Sequence, residues 1–242
     1  MKIILTGTTG FVGTEVLSQT LQNKSITSIV ILSRKPLPES TTKNNPRVTV
    51  KILDDFLHYP DSLLAELAGA EGCIWTLGLA ASTDLAHYRM VNHEYTLAAV
   101  EAFARIPSSS SSSSFPSSED NLKPFHFIYC SGAAAVRDQE KSLWFMGGIR
   151  RIRGQTESAL LSYNPESFPP EGNPAARRIQ ISITRPAMVL AKERTLHSIL
   201  FSLGPSIRVD RLAAAMVGLV TGGYAGGGGG GGRVLENGEM NE

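Results

Sequence analysis

The 242-residue chain has almost no net charge and only two cysteines. Lysine and arginine total 23, and aspartate and glutamate total 22, so no global excess of basic residues indicates nucleic acid or an anionic membrane as a partner. Cys73 and Cys130 lie in separate apolar runs, which favours free buried thiols over a disulfide. The five histidines are scattered without the spacing of metal ligands, and we expect no metal site.

Long hydrophobic runs are also absent. The longest apolar stretch near the C-terminus covers residues 213–220, far short of the roughly 20 residues that a membrane span needs. The apolar run at residues 3–5 is too short for the core of a signal peptide. Because hydrophobic residues make up 42% of the chain, a sizeable core can form. We expect a cytoplasmic protein without an integral membrane segment, in which residues 1–242 form a single domain.

Short β-branched runs alternate with longer helical stretches. Several of these runs are apolar nearly throughout, as in parallel strands covered on both faces. Their alternation with helices indicates βαβ units and predicts an α/β fold with a doubly wound parallel sheet. The predicted strands cover residues 2–6, 28–32, 48–53, 72–77, 125–130 and 179–184, and the predicted helices cover residues 11–22, 61–68, 84–104, 143–163 and 210–220.

Two single-residue repeats interrupt the alternation. Residues 108–114 are seven consecutive serines, and residues 226–232 are seven consecutive glycines. Burial of such sequences stabilises too little to offset the entropy cost of ordering them. We therefore predict mobile loops at 108–118 and 225–232. An expanded loop without function is favoured over a phosphorylated serine tract.

Three glycines directly follow the first predicted strand and open the first predicted helix. Gly7, Gly10 and Gly13 have the spacing G-x-x-G-x-x-G, which differs from the G-x-G-x-x-G dinucleotide fingerprint. Glycine lets the backbone approach a pyrophosphate closely, and the helix start offers free N–H groups. We favour a dinucleotide-binding turn over a purely structural one, with cofactor contacts at Gly7, Thr9, Gly10, Phe11, Val12 and Gly13.

The end of the second predicted strand indicates which dinucleotide binds. An NAD site would carry an acidic residue there for the ribose 2′-hydroxyl, but this strand ends in Ser33, Arg34 and Lys35. The Arg34 guanidinium can pair with a 2′-phosphate, and Ser33 adds a donor. We predict NADP as the cofactor. The alternative is that these basic residues are simply a solvated strand end.

Together with this turn, several segments resemble the extended and atypical short-chain dehydrogenase/reductases. Residues 6–13 are similar to the family's T-G-x-x-G-x-x-G motif, and further similar segments follow most of the later strands. Residues 153–157 and 234–237 carry a narrower likeness to small members, such as the Tat-interacting-protein type oxidoreductases and a fungal relative reported as mitochondrial. The resemblance implies a Rossmann fold with strand order 3-2-1-4-5-6 and a short C-terminal substrate-side segment. It also allows a homodimer and a mitochondrial association.

The resemblance also assigns roles to residues after the later strands. Asp55 and Phe56 are similar to the pair that borders adenine, and Ser131 closes the fifth strand where the family has its active-site serine. A solvated strand end is the alternative for Asp55, and an ordinary helix position is the alternative for Asn92. By the same resemblance, the nicotinamide side of the cofactor is contacted by Leu77, Gly78, Asn92, Arg153, Pro186 and Val189.

The chain lacks the Tyr-x-x-x-Lys pair with which this family moves a proton. Alignment on residues 154–157 places Ile149 at the tyrosine position and Arg153 at the lysine position. Arg153 can still hold a ribose, but isoleucine cannot carry a proton. Ser131 and Arg153 are therefore the expected catalytic residues. The neighbouring residues 144–148 are either an apolar wall over the nicotinamide or ordinary core.

These observations predict an NADP-dependent oxidoreductase that acts on a small carbonyl or hydroxy compound. The missing tyrosine leaves two alternatives open. The first is a catalytically degenerate NADP(H)-binding regulatory or scaffold protein. The second is a non-redox isomerase, dehydratase or cyclase that reuses the pocket.

Overall fold

Seven parallel strands form the central sheet, in the order β3-β2-β1-β4-β5-β6-β9. The computed structural model describes residues 1–38, 45–107, 124–163, 177–192, 204–222 and 233–241. All six predicted strands are present in the predicted order. The strands of this sheet are β1 Lys2–Thr6, β2 Ser28–Ser33, β3 Val48–Ile52, β4 Ala70–Trp75, β5 Phe125–Cys130, β6 Ile179–Arg185 and β9 Arg233–Glu236.

The seventh strand was not predicted. β9 has four residues and pairs in parallel with β6, from Ser182↔Arg233 to Arg185↔Glu236. So short a segment after a run of glycines shows no periodicity that would identify it as a strand. The predicted mobile loops at 108–118 and 225–232 lie outside the described residues, and the single-domain assignment stays a prediction.

The helices follow the predicted pattern, with two differences. The predicted helix 84–104 is divided by a π-helical stretch, Met90–Glu94. The predicted helix 143–163 begins only at Gly147, because Met146 before it adopts a left-handed conformation with φ 48°. The helices are α1 Phe11–Gln22, α2 Asp61–Glu66, α3 Leu85–Arg89, α4 Tyr95–Ala104, α5 Gly147–Leu161 and α6 Val209–Val220.

Helices cover both faces of the sheet. On β1, Ile4 belongs to one buried cluster, whereas Ile3 and Leu5 belong to the other. The first cluster includes buried residues of α2, α4 and α5, and the second includes buried residues of α1 and α6. This distribution confirms the doubly wound α/β architecture, since side chains alternate between the two faces along each strand.

A small second sheet lies after β6. Its two parallel strands are β7 Met188–Leu190 and β8 Ser206–Arg208. Asn237, just after β9, joins this sheet to the main one: its Oδ1 accepts from the Ala187 N–H at 2.9 Å, and its Nδ2 donates to the Ser206 carbonyl at 3.1 Å. Among the described helices, none has the length and apolar character that crossing a membrane requires.

Gly72 offers a test of how closely α6 packs on the sheet. A Cβ at Gly72 would lie 2.6 Å from Val220 Cγ2 and 2.8 Å from the His126 carbonyl oxygen. We expect Gly72→Ala to lower the free energy of unfolding by about 1–3 kcal/mol, because overpacking forces the helix or strand to shift. Urea denaturation measures this change. Gly204→Ala is the matched control, since a Cβ there meets no atom of the described residues within 4 Å. Equal stability of the two variants would contradict the packing.

Candidate functional site

The turn after β1 packs tightly against the end of β4. Gly7 has φ +67°, and a Cβ on it would lie 2.5 Å from the Thr76 carbonyl carbon and oxygen. A Cβ on Gly13 would lie 2.0 Å from the Gly7 oxygen. Thr76 Oγ1 donates to the Thr6 carbonyl at 2.6 Å. Gly7 and Gly13 are therefore glycines for reasons of backbone conformation and packing.

Gly10 differs from the other two glycines of the turn. It is the N-cap of α1 with φ −86°, and no side chain caps the helix. A Cβ on Gly10 would have a single close neighbour among the described atoms, the Gly7 oxygen at 3.3 Å. The space beside Gly10 is therefore open. The first N–H groups of a helix are available to a ligand when no side chain caps them.

A cavity of about 440 Å³ opens beside this turn. Lys192, which follows β7, lies in its wall, with Nζ 2.7 Å from Glu15 Oε2. Sequence reasoning missed Lys192, because nothing local links it to a turn nearly the whole chain away. The cavity is lined by Thr9, Gly10, Phe11, Thr14, Glu15, Ala191, Lys192 and Val209.

The predicted phosphate-pairing residues lie at the end of β2. Ser33 Oγ donates to the Lys35 carbonyl at 2.7 Å, so this hydroxyl stabilises the local turn. Arg34 is exposed. In the described part of the chain its guanidinium has neither an ion pair nor a hydrogen bond, which leaves a cation available at this strand end.

Asp55 and Phe56 follow β3 and have different surroundings. Asp55 Oδ1 accepts from the Leu57 N–H at 2.9 Å, and Oδ2 lies 2.7 Å from His58 Nδ1. The hydrogen bond from Leu57 has the largest effect, and together with that to His58 it lowers the pKa of Asp55. The side chain is therefore an ionised carboxylate, which only accepts hydrogen bonds. The Phe56 ring is only 1% exposed and packs edge-on against Trp75, with centroids 5.9 Å apart. Since this ring lies in the core, it does not cover an adenine; only the Phe56 backbone is left to contact a ligand.

The loop after β4 is shaped by Asn92 in the π-helical stretch. Asn92 Oδ1 accepts from the Leu79 N–H at 3.1 Å, and Nδ2 donates to the Tyr88 carbonyl at 3.0 Å. A Cβ on Gly78 would lie 2.6 Å from Asn92 Oδ1, while the Leu77 N–H donates to Thr6 Oγ1. Asn92 thus uses both amide atoms within the protein, and its effect on a ligand is exerted through the loop.

Ser131 has a partner that the sequence did not reveal. Its hydroxyl donates to Glu157 Oε1 at 2.6 Å. Glu157 is 0% exposed; its Oε2 accepts from Arg137 Nε at 2.8 Å, and Arg185 Nε lies 3.1 Å from Oε1. Because a serine has a single hydroxyl proton, Ser131 can accept from a substrate but cannot donate to one while this bond lasts. Glu157 could have been found from the sequence, because it lies four residues after Arg153 and therefore on the same face of the predicted helix.

Arg153 lies over the ends of β4 and β5. Its Nε donates to the Tyr88 hydroxyl at 2.7 Å, and its Nη2 makes longer bonds, at 3.4 and 3.3 Å, to the Leu79 and Ala80 carbonyls. A Cβ on Gly132 would lie 2.6 Å from Nη1. The predicted ribose-holding cation is therefore at the carboxyl edge of the sheet.

The remaining predicted residues lie near the same edge. Pro186 follows β6, where its carbonyl accepts from the Ala133 N–H at 2.8 Å, and Val189 lies in β7. Ile149 is buried on α5. Trp144 is 97% exposed, which excludes core packing for this side chain and leaves an exposed apolar segment before α5.

The sequence comparison finds one protein at moderate similarity. No protein-family model matches the chain. Leucinostatins biosynthesis cluster protein T of Purpureocillium lilacinum is 44% identical over 108 residues, which are 44% of this chain and 39% of that protein. The match thus spans less than half of either protein.

Solved structures match over almost the whole chain. Gre2 of Candida albicans in complex with NADPH has a TM-score of 0.66 at 15% identity, covering 98% of this chain and 77% of that one. UDP-glucuronic acid 4-epimerase of Bacillus cereus in complex with NAD has a TM-score of 0.62 at 16% identity, covering 98% and 76%. The reductase domain of PhqB from Penicillium fellutanum has a TM-score of 0.61 at 15% identity, covering 98% and 67%.

The Glu157 cluster offers a test that is independent of any ligand. We expect Glu157→Gln to lower the free energy of unfolding by about 3 kcal/mol, because it leaves the partly buried Arg137 and Arg185 without their shared carboxylate. Urea denaturation measures the loss. Glu236→Gln is the control: Glu236 also pairs with Arg185, but its side chain is 53% exposed, so the expected loss is under about 1 kcal/mol. A Glu157 variant as stable as this control would contradict the assignment.

The structure and these matches agree on the architecture predicted from the sequence. The parallel sheet has the predicted order 3-2-1-4-5-6, is extended by β9 and is covered by helices on both faces. At these sequence identities the likeness establishes the fold. The chain therefore has a Rossmann fold, in common with these solved structures.

Proposed function

We propose that the chain binds NADP(H) along the carboxyl edge of its sheet and is an NADP-dependent oxidoreductase of the atypical short-chain dehydrogenase/reductase type. Its substrate is a small carbonyl or hydroxy compound. One observation carries the proposal: an uncapped glycine turn opens into a cavity with a lysine, and the next strand is followed by an exposed arginine that has no partner among the described residues. Ligands of open α/β sheets bind outside the carboxyl ends of the strands.

The phosphate groups of the cofactor fit the residues of this edge. Gly10 and the start of α1 offer N–H groups to a pyrophosphate, and Lys192, which is paired with Glu15, lies in the wall of the same cavity. Arg34 suits a ribose 2′-phosphate because a guanidinium forms charge-assisted bonds to phosphate oxygens. Gre2 was solved with NADPH and the epimerase with NAD. Since this fold accommodates both cofactors, the choice between NADP(H) and NAD(H) depends on the residues after β2.

The nicotinamide end of the cofactor fits the ends of β4, β5 and β6. Arg153 would hold the ribose with its outer nitrogens, the loop held by Asn92 would border it, and Pro186 and Val189 would close the far side. A nicotinamide bound there supplies or takes up a hydride. The exposed Trp144 and Phe145 would cover an apolar part of the substrate.

A specific observation also favours a second function. Ile149 cannot carry a proton, and the Ser131 proton is donated to Glu157. A protein that binds NADP(H) as a regulatory ligand without turnover would tolerate both features. A cytoplasmic location and a homodimer stay predictions from the sequence.

The cofactor preference is tested at Arg34. We expect Arg34→Ala to weaken NADPH binding by about 1.5–3 kcal/mol, the usual effect of losing a hydrogen bond to a charged group, and to leave NADH binding unchanged. Isothermal titration calorimetry with both cofactors measures this, and NADH serves as the internal control. Equal affinity of the unmodified protein for NADPH and NADH would refute the NADP assignment.

The phosphate turn is tested at Gly10. A valine there would crowd a bound pyrophosphate, whereas the extended φ of −86° is allowed for any residue. We expect Gly10→Val to weaken NADPH and NADH alike while keeping the melting temperature. Calorimetry and thermal denaturation of the same preparation separate the two effects. An unchanged affinity in a folded variant would remove the turn from the site.

A further inference from the structure

If the proposed oxidoreductase function holds, the reaction consumes a proton near the ends of β4 and β5, and a side chain positioned there can supply it. Reduction of a carbonyl by a hydride leaves an oxyanion, and a positioned acid that protonates it accelerates the reaction. The Ser131 hydroxyl already donates its hydrogen bond to Glu157 Oε1. The proton donor has to be another group.

Tyr88, on α3, carries a hydroxyl group near the ends of β4 and β5 whose proton is not used in a hydrogen bond among the described residues. Its hydroxyl accepts from Arg153 Nε at 2.7 Å. A phenol can accept and also donate, yet within the described chain the Tyr88 hydroxyl donates to no group. The proton of this hydroxyl is therefore available to an acceptor from outside the protein.

The ring of Tyr88 is fixed in position. It packs in one buried cluster with Ile149 and Ile152, and Asn92 holds its backbone carbonyl. Ile149 occupies the position on α5 where a tyrosine was expected. Arg153 contacts both the Tyr88 hydroxyl and the end of β5. Its Nε donates to the hydroxyl, and its Nη1 lies 2.6 Å from where a Cβ on Gly132 would be. A phenol beside a cation thus lies at the edge where the nicotinamide end is proposed to bind.

We propose that Tyr88, paired with Arg153, is the proton donor of the reaction. In the reduction NADPH gives a hydride to the carbonyl carbon and becomes NADP⁺, and a C–H bond forms. The O–H bond of Tyr88 breaks, and its proton goes to the carbonyl oxygen, which yields the alcohol. The phenolate beside Arg153 then takes a proton from water, so the sum is carbonyl, NADPH and H⁺ to alcohol and NADP⁺.

Access to the hydroxyl requires a movement of Arg153. The Tyr88 side chain has no exposed surface in this structure, since the guanidinium lies against it. The two other bonds of that guanidinium, to the Leu79 and Ala80 carbonyls, are 3.4 and 3.3 Å long, beyond the usual range for N–H···O bonds. A ribose hydroxyl that accepts from Nη2 would replace them, and the resulting shift of the guanidinium would uncover the phenol.

The charges around Tyr88 suit a donor. Burial raises the pKa of its hydroxyl, while the charge of Arg153 on α5 and the hydrogen bond from it act in the opposite direction. Tyr129 on β5 also interacts electrostatically with Tyr88. Because the net shift is upward, the phenol is protonated at neutral pH, and Arg153 is placed to stabilise the phenolate formed after transfer.

Single-turnover oxidation of protein-bound NADPH by a panel of aldehydes and ketones tests the proposal. At saturating NADPH, we expect Tyr88→Phe to lower the rate by about 10²- to 10⁴-fold, the usual contribution of general acid catalysis. Tyr59→Phe is the matched control, because the Tyr59 hydroxyl is buried in a separate aromatic cluster without a hydrogen-bond partner among the described residues. A Tyr88→Phe rate equal to that of the control would overturn the proposal, as would a variant that loses NADPH affinity alone.

A second measurement needs no turnover. Alkaline difference absorbance, with Tyr88→Phe as the reference, isolates the titration of Tyr88. We expect Arg153→Met to raise the pKa of Tyr88, and Arg153→Lys to restore it partly; no change in Arg153→Met would overturn the pairing. If the unmodified protein binds NADPH but oxidises it with no carbonyl, the oxidoreductase function itself fails. Loss of the rate in Tyr88→Phe alone cannot arise in that case, so the two failures are distinguishable.

Discussion

The close contact between the first turn and the end of β4 is the constraint on which the rest of the site depends. Gly7 and Gly13 leave no room for a Cβ between the turn and the backbone at Thr76. This contact fixes the start of α1 above the sheet edge and leaves Gly10 as the glycine with open space beside it. Because all strands of the sheet are parallel, each later strand ends at the same edge. The residues after β2 and β3 therefore lie on one side of the turn, and those after β4 and β5 lie on the other.

A second constraint fixes α5 on the other side of this edge. Glu157 is fully buried. It forms ion pairs with Arg137 and Arg185 and accepts a hydrogen bond from the Ser131 hydroxyl. Removing charges from water is costly unless they are paired and hydrogen-bonded, so these partners restrict how α5 can lie against β5 and β6. Arg153, one turn earlier on the same helix, is thereby directed over the strand ends. The hydrogen bond from Ser131 to Glu157 helps to position this helix. The same bond uses the hydroxyl proton of Ser131, the residue expected to act on the substrate.

Local patterns predicted the framework, and long-range contacts decided the chemistry of the site. The strand, turn and helix over residues 2–22 could be identified because their apolar periodicity and glycines are adjacent in sequence. Phe56 was assigned to the cofactor, yet its ring lies among Trp75, Tyr59 and Tyr95, a cluster that only the fold assembles. Lys192 and the bond between Arg153 and Tyr88, 65 residues apart, likewise have no local signal. β9 was not predicted because its four residues are too few to show the alternation typical of a strand.

The arginine at position 153 and the isoleucine at position 149 are consistent with each other in physical terms. A lysine offers a compact point charge, whereas a guanidinium offers five N–H donors in a fixed plane. Arg153 can therefore hold the Tyr88 hydroxyl with Nε and still present Nη1 and Nη2 toward the strand ends. An ammonium group at this position could not span both. With a tyrosine already held from α3, the helix α5 no longer needs one of its own, and an apolar Ile149 packs the buried ring of Tyr88 without adding an unpaired polar group.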